Sequence, residues 1–262
     1  MEEAKVKQVQ EMELALEREA MAYQGMGIKI LSITGGFFGS LFVMAFIFLF
    51  LNDSSVASMV IGLLTLCVVI FADKKVDNTV IDTACMGAYI SAAVMIGYGV
   101  HIALKNDNVT TLTAMVIAIS VMGLTTSYML NFISMLILCG SLFALVNIND
   151  AYGLLHVLVS VFALVYTLFS IYEAKMLAFG RKTSLIYNPW RNALLCSFLM
   201  LLAYIAVDKI AGKHLNYYWI SSVAIIGIYL FFLNRIVAYL GILESKNRVL
   251  IYSGALLIMM MA

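Results

Sequence analysis

The chain has 262 residues, of which 63% are hydrophobic and only 12% charged, where a soluble domain carries roughly 25% charged residues. That shortage excludes a soluble globular protein, which would lack the polar groups to cover its surface. One Pro and many aromatic and Met residues exclude a disordered or collagen-like chain, and a net charge of +1 gives no field to gather nucleic acid.

The N-terminal segment, residues 1–27, is rich in strong helix formers, with Val9, Met12, Leu16 and Tyr23 at helical spacing. Its six Glu face Lys5, Lys7 and Arg18, an acidic balance poorly suited to an anionic leaflet. It is expected to be a cytoplasmic amphipathic helix, either a solvated lead-in or a docking helix for a protein partner. It lacks the basic start and early apolar run of a secretory signal.

Residues 28–262 read as a transmembrane helical domain. A helix needs about 20 apolar residues to cross a ~30 Å hydrocarbon core. Eight runs approach or exceed that: 28–51, 56–72, 80–103, 109–124, 128–147, 153–172, 192–207 and 217–239. A ninth starts at Val249 and stops inside an apolar run at Ala262, as a truncated last helix would. The expected fold is therefore an all-α polytopic bundle of about nine helices. The runs lack the alternation that barrel strands require.

Cytoplasmic loops are enriched in Lys and Arg. With the N-terminus inside, 13 of the 16 basic residues fall on the inner side, including Lys74, Lys75, Lys175, Arg181, Lys182 and Arg191. Lys105, Lys209 and Lys213 are the outer three. Trp190 and Trp219 sit beside expected span ends, where interfacial aromatics belong.

Ionisable groups deep in a membrane cost several kcal/mol and mark function, yet the span centres hold none. Asp82 is early in span three; Asn131 and Tyr98 are the polar residues nearest the interior, expected to make intramembrane polar contacts. This emptiness weighs against an ion-coupled transporter. His101, His156 and His214 fall on the outer side, beside Asp53, Asp107, Asp150 and Asp208. Such a set could bind a metal or sense external pH, but it shows no ligand spacing, and scattered interfacial side chains are the expectation. The four Cys lie inside apolar runs without CxxC pairing. No catalytic, phosphate-loop or dinucleotide motif occurs, so neither an enzyme nor a cofactor is expected. Gly35, Gly36, Gly39, Ser40, Gly97 and Gly99 would let helices approach closely.

The first run IKILSITGGFFGSLFVMAFIFLFL, the second SVASMVIGLLTLCVVIFADKK and a third ending IGYGV together resemble the multi-pass bacterial inner-membrane proteins of the domain-of-unknown-function 4401 and 2157 type. The resemblance implies a bacterial inner-membrane location, a polar N-terminal segment before eight to ten helices, and no known catalytic residues. Taken together, a non-enzymatic envelope scaffold or sensor-like component is expected, embedded in the lipid bilayer. The alternative is a transporter or channel for a neutral or lipidic solute.

Overall fold

The structure, a computed structural model, describes residues 34–43, 45–47, 54–75, 79–211 and 219–240. The N-terminal segment, the run from Val249 and His214 lie outside them. Among the described residues there are nine helices and no strand, as expected of an all-α bundle. These are α1 (Thr34–Ile47), α2 (Ser55–Lys75), α3 (Thr79–Leu104), α4 (Asp107–Leu124), α5 (Tyr128–Ile148), α6 (Gly153–Ile171), α7 (Glu173–Phe179), α8 (Arg181–Ala211) and α9 (Trp219–Leu240). Six of them, α2 to α6 and α8, are long and apolar enough to cross a membrane. No more than a third of the residues in the most apolar stretch of each are buried. Side chains such as Val68, Phe71, Val116 and Val157 face outward, which suits helices apolar all round.

One expectation is corrected. Residues 173–191, read as a loop, are helical, because α7 occupies 173–179 and α8 starts at Arg181 and continues through Pro189. Proline inside a helix removes one backbone bond and costs about 3 kcal/mol. Here its ring is fully buried, so tertiary packing offsets that cost.

The chain divides into two compact units, Met1–Gly99 and Val100–Ala262. In the first, small residues bring α2 against α3. Ser58 is fully buried and its Oγ donates to the Met95 carbonyl at 2.9 Å. A Cβ on Gly62 would lie 3.1 Å from the Ala92 carbonyl oxygen, and one on Gly99 2.7 Å from that of Ser55. Further along α3, a Cβ on Gly87 would collide with the Ser40 side chain of α1. Of the glycines that open the first apolar run, Gly35 and Gly39 meet nothing within 4 Å; the close approach is made by Ser40.

In the second unit, α6 buries Leu155, Val159, Phe162 and Ala163 at helical spacing. Leu155, Val159 and Phe162 pack with Cys139 of α5 and Leu194, Leu201 and Ile205 of α8 into one core. The turns are locally determined. Asn106 caps α4, its Oδ1 accepting from the backbone N–H groups of Asn108 (3.0 Å) and Val109 (3.3 Å). After α5, Asp150 adopts a left-handed φ of 50°. Its N–H bonds the Asn147 carbonyl, and the next N–H returns from Ala151 to Val146, the paired closure typical of helix C-termini. Lys105, between α3 and α4, also has a positive φ of 47°. Lys105→Gly relieves that conformation and is expected to raise stability by up to about 1 kcal/mol in thermal unfolding. Lys105→Val is expected to lower it.

Candidate functional site

The densest buried polar arrangement lies at the end of the second unit where α4 turns into α5, over residues 125–127. Asn131, three residues into α5, is fully buried. Its Nδ2 donates to the carbonyls of Ser127 at 2.9 Å and Thr125 at 3.2 Å, with the Thr125 hydroxyl at 3.4 Å. Its Oδ1 accepts from Trp190 Nε1 of α8 at 3.3 Å. Thr125, also fully buried, sends its hydroxyl proton to the Val121 carbonyl at 2.8 Å. One turn further out, Asn192 donates to the Tyr128 hydroxyl at 2.9 Å.

The same stretch of α8 is tied to α6 and α7. Tyr187, buried and stacked on Phe169 at 5.8 Å, donates its hydroxyl to the Phe169 carbonyl at 3.0 Å. Arg191 reaches Glu173 at 3.1 Å and lies over the Tyr187 ring at 5.4 Å. These bonds run between backbone ends and side chains of neighbouring helices. Both N–H groups and the carbonyl of Asn131 are engaged, so its chemistry here is positional: it closes the α4–α5 turn and holds α8 in register.

A second polar set lies at the opposite end. Asn108 and Asn149 exchange amide hydrogen bonds of 3.2 and 2.9 Å between the starts and ends of α4 and α5. Tyr204 donates to Asn147 at 3.2 Å and packs edge-on against Phe143. His101, exposed, pairs with Asp107 at 3.0 Å across the α3–α4 turn. Tyr152 donates to Asp150 at 3.2 Å.

The expected outer histidines are thus separated in role. His101 bridges a turn, whereas His156 is buried on α6 and borders a small apolar groove with Val157, Val161 and Ile228. Among the described residues, no three His, Cys, Asp or Glu side chains come together in a way that could hold a metal ion. Of the expected polar contacts, Asn131 forms the network above. Asp82, in the first turn of α3, and Tyr98, late in it, are half-buried, and neither is without an interaction. Trp190 carries a sequence signal as an interfacial aromatic; its pairing with Asn131, 59 positions away, carries none.

In the first unit, α2 and α3, with Ser40 of α1, border an open apolar cleft of about 510 Å³, lined among others by Leu64, Val68, Val69, Ala84 and Cys85. It begins where the Gly62 contact ends, since Ile61 to Ala72 of α2 and Ile81 to Ala88 of α3 form its walls.

Across residues 26–262 the chain matches a family model described as a domain of unknown function, DUF4401. No curated protein and no solved structure matches it.

Proposed function

Because the chain belongs to the DUF4401 family of unknown function, we propose its role from its own residues: a non-enzymatic, multi-pass component of a bacterial inner membrane. In this reading its N-terminus is cytoplasmic and it acts as a scaffold or sensor through protein contacts. The observation that carries the reading is the saturation of Asn131. This fully buried polar side chain of the second unit is bonded to Thr125, Ser127 and Trp190, an arrangement that locks helices. Six helices of spanning length and 13 of 16 basic residues on one side support the membrane location and orientation.

The docking element of this reading is the acidic N-terminal segment, residues 1–27. Affinity capture from cross-linked membranes, using the full chain and a chain lacking residues 1–24, is expected to lose partners on deletion. An unchanged partner set overturns the docking role.

A second reading, carriage of a neutral or lipidic solute, draws support from the apolar cleft of the first unit. Under it, Ala84→Trp fills the cleft and abolishes labelling of the chain by a photoactivatable fatty-acyl probe. Labelling that persists unchanged counts against that reading.

A further inference from the structure

Helices α5 and α8 meet along a line of polar side chains. Trp190 Nε1 of α8 donates to Asn131 Oδ1 of α5 at 3.3 Å, and the Tyr204 hydroxyl of α8 donates to Asn147 Oδ1 of α5 at 3.2 Å. The partners are 59 positions apart at one end and 57 at the other. A nearly constant offset means that the two helices run in the same direction, since antiparallel neighbours keep a constant sum instead. Between the two contacts the Ser197 hydroxyl faces the Cys139 thiol, and both residues are buried. The Asn192 bond to Tyr128, offset by 64, lies off this line.

The two end contacts repeat one arrangement. Asn131 Nδ2 donates to the Ser127 carbonyl at 2.9 Å, and Asn147 Nδ2 to the Phe143 carbonyl at 3.0 Å, each four residues earlier in the chain. With the amide nitrogen tied to its own helix, each Oδ1 is turned towards α8, where an aromatic N–H or O–H meets it. The two Asn residues are about 24 Å apart along α5 at 1.5 Å per residue, most of the ~30 Å hydrocarbon thickness.

On α8, Trp190, Ser197 and Tyr204 recur every seven residues with Leu194 and Leu201 between them, so all five share one face. Leu194 and Leu201 are buried and belong to the core that holds Cys139. On α5 the partners recur every eight residues, which carries the line around that helix. The end contacts use long side chains and the middle one short ones, as for two helices that cross with their closest approach at Cys139 and Ser197. A shift of α8 by one turn, about 5.4 Å, leaves leucine against leucine but breaks both end bonds and strands their groups in apolar surroundings. Buried polar contacts of this kind select one register of a helix pair.

We propose that Asn131 and Asn147 are two equivalent anchors that fix α8 at one axial register on α5, so that the pair moves as one rod between the α4–α5 and α5–α6 turns. This device is separate from the docking role of residues 1–27 and holds whether or not that segment binds a partner.

Disulfide mapping in membranes tests it. In the full chain, with Cys67, Cys85 and Cys196 replaced by alanine, native Cys139 receives a second thiol from Ser197→Cys, Leu194→Cys or Leu201→Cys. Bridging needs Cα atoms within about 7 Å, so under copper-phenanthroline Ser197→Cys is expected to bridge about tenfold faster than either flanking variant. Trp190→Phe or Tyr204→Phe alone keeps that preference, because the other anchor remains. The two together keep both rings but remove both bonds, and are expected to bring the three rates within about threefold. A preference unchanged in the double variant would show that apolar packing alone sets the register and would overturn the proposal, as would equal bridging with both anchors intact. Collapse of the preference on either single substitution would overturn the equivalence of the two anchors.

Discussion

Asn131→Ala is expected to destabilise the protein by about 3 kcal/mol, measured as unfolding in mixed micelles. The substitution removes a side chain that is fully buried and strands two partners. The Trp190 N–H loses its acceptor and the Thr125 carbonyl its donor, while the Ser127 carbonyl keeps the backbone N–H of residue 131. Single hydrogen bonds between helices in apolar surroundings contribute about 0.6 kcal/mol, up to about 1.7. The larger figure expected here arises because buried partners left unsatisfied add about 1–3 kcal/mol of desolvation. Trp190→Phe keeps the ring and removes one donor, so it is expected to cost about 1 kcal/mol. If the two residues act through their mutual bond, the double variant is less destabilised than the sum by about 1 kcal/mol. Additivity within about 0.3 kcal/mol would show that Asn131 works only on its own turn. Asn131→Asp is expected to be worse than Asn131→Ala, since it places a charge with no donors of its own among those carbonyls.

Gly99→Val is the second substitution with a large expected effect, about 3 kcal/mol or more. A Cβ at Gly99 lies 2.7 Å from the Ser55 carbonyl oxygen and 2.6 Å from Met59 Cγ. The methionine can swing aside, but the carbonyl belongs to the first turn of α2 and moves only with the helix. Overpacking of this kind costs about 1–3 kcal/mol for a methyl and more for a branched side chain. Gly62→Ala is expected to cost about 1–2 kcal/mol, since its nearest neighbour, Ile96 Cγ1 at 2.7 Å, is movable while the Ala92 oxygen is at 3.1 Å. Gly140 is the control. It lies on α5 with nothing within 4 Å of its Cβ position, so Gly140→Ala is expected to stabilise by about 0.5–1 kcal/mol through helix propensity. An equal response at Gly99 and Gly140 would contradict the close approach of α2 and α3.

The boundaries of α2, α4, α5 and α6 fall within a few residues of the apolar runs, because a spanning-length helix is set by its own composition. The start of α8 was not legible. Arg181, Lys182, Asn188, Pro189 and Arg191 carry the composition of a loop, and what accompanies their helix, the packing of Tyr187 on Phe169 of α6 and the burial of Pro189, is tertiary. Asn131 could be singled out from sequence as a polar residue in an apolar run, and its hydrogen bonds agree with an interhelical role. Its partner could not be singled out, since nothing local couples positions 131 and 190. The small-residue contacts show the same limit. Gly99 was visible, but Gly62 and Gly87 matter through what faces them, and the conspicuous Gly35 and Gly39 meet nothing. Asn108 and Asn149 pair because α4 and α5 fold back on each other, a consequence of the three-residue turn at 125–127.

The central claim is that these helices cross a bilayer in alternation, with the basic face inside. Three helices, α4, α5 and α6, separate Lys105 from Lys175, so on the proposed alternation the two residues lie on opposite sides. The direct measurement is maleimide labelling of Lys105→Cys and Lys175→Cys in intact cells, in a chain whose four cysteines are replaced by alanine. Labelling of position 105 by an impermeant reagent in intact cells, and of position 175 only after the membrane is opened, is the predicted result. Labelling of both positions from the same side would contradict the account.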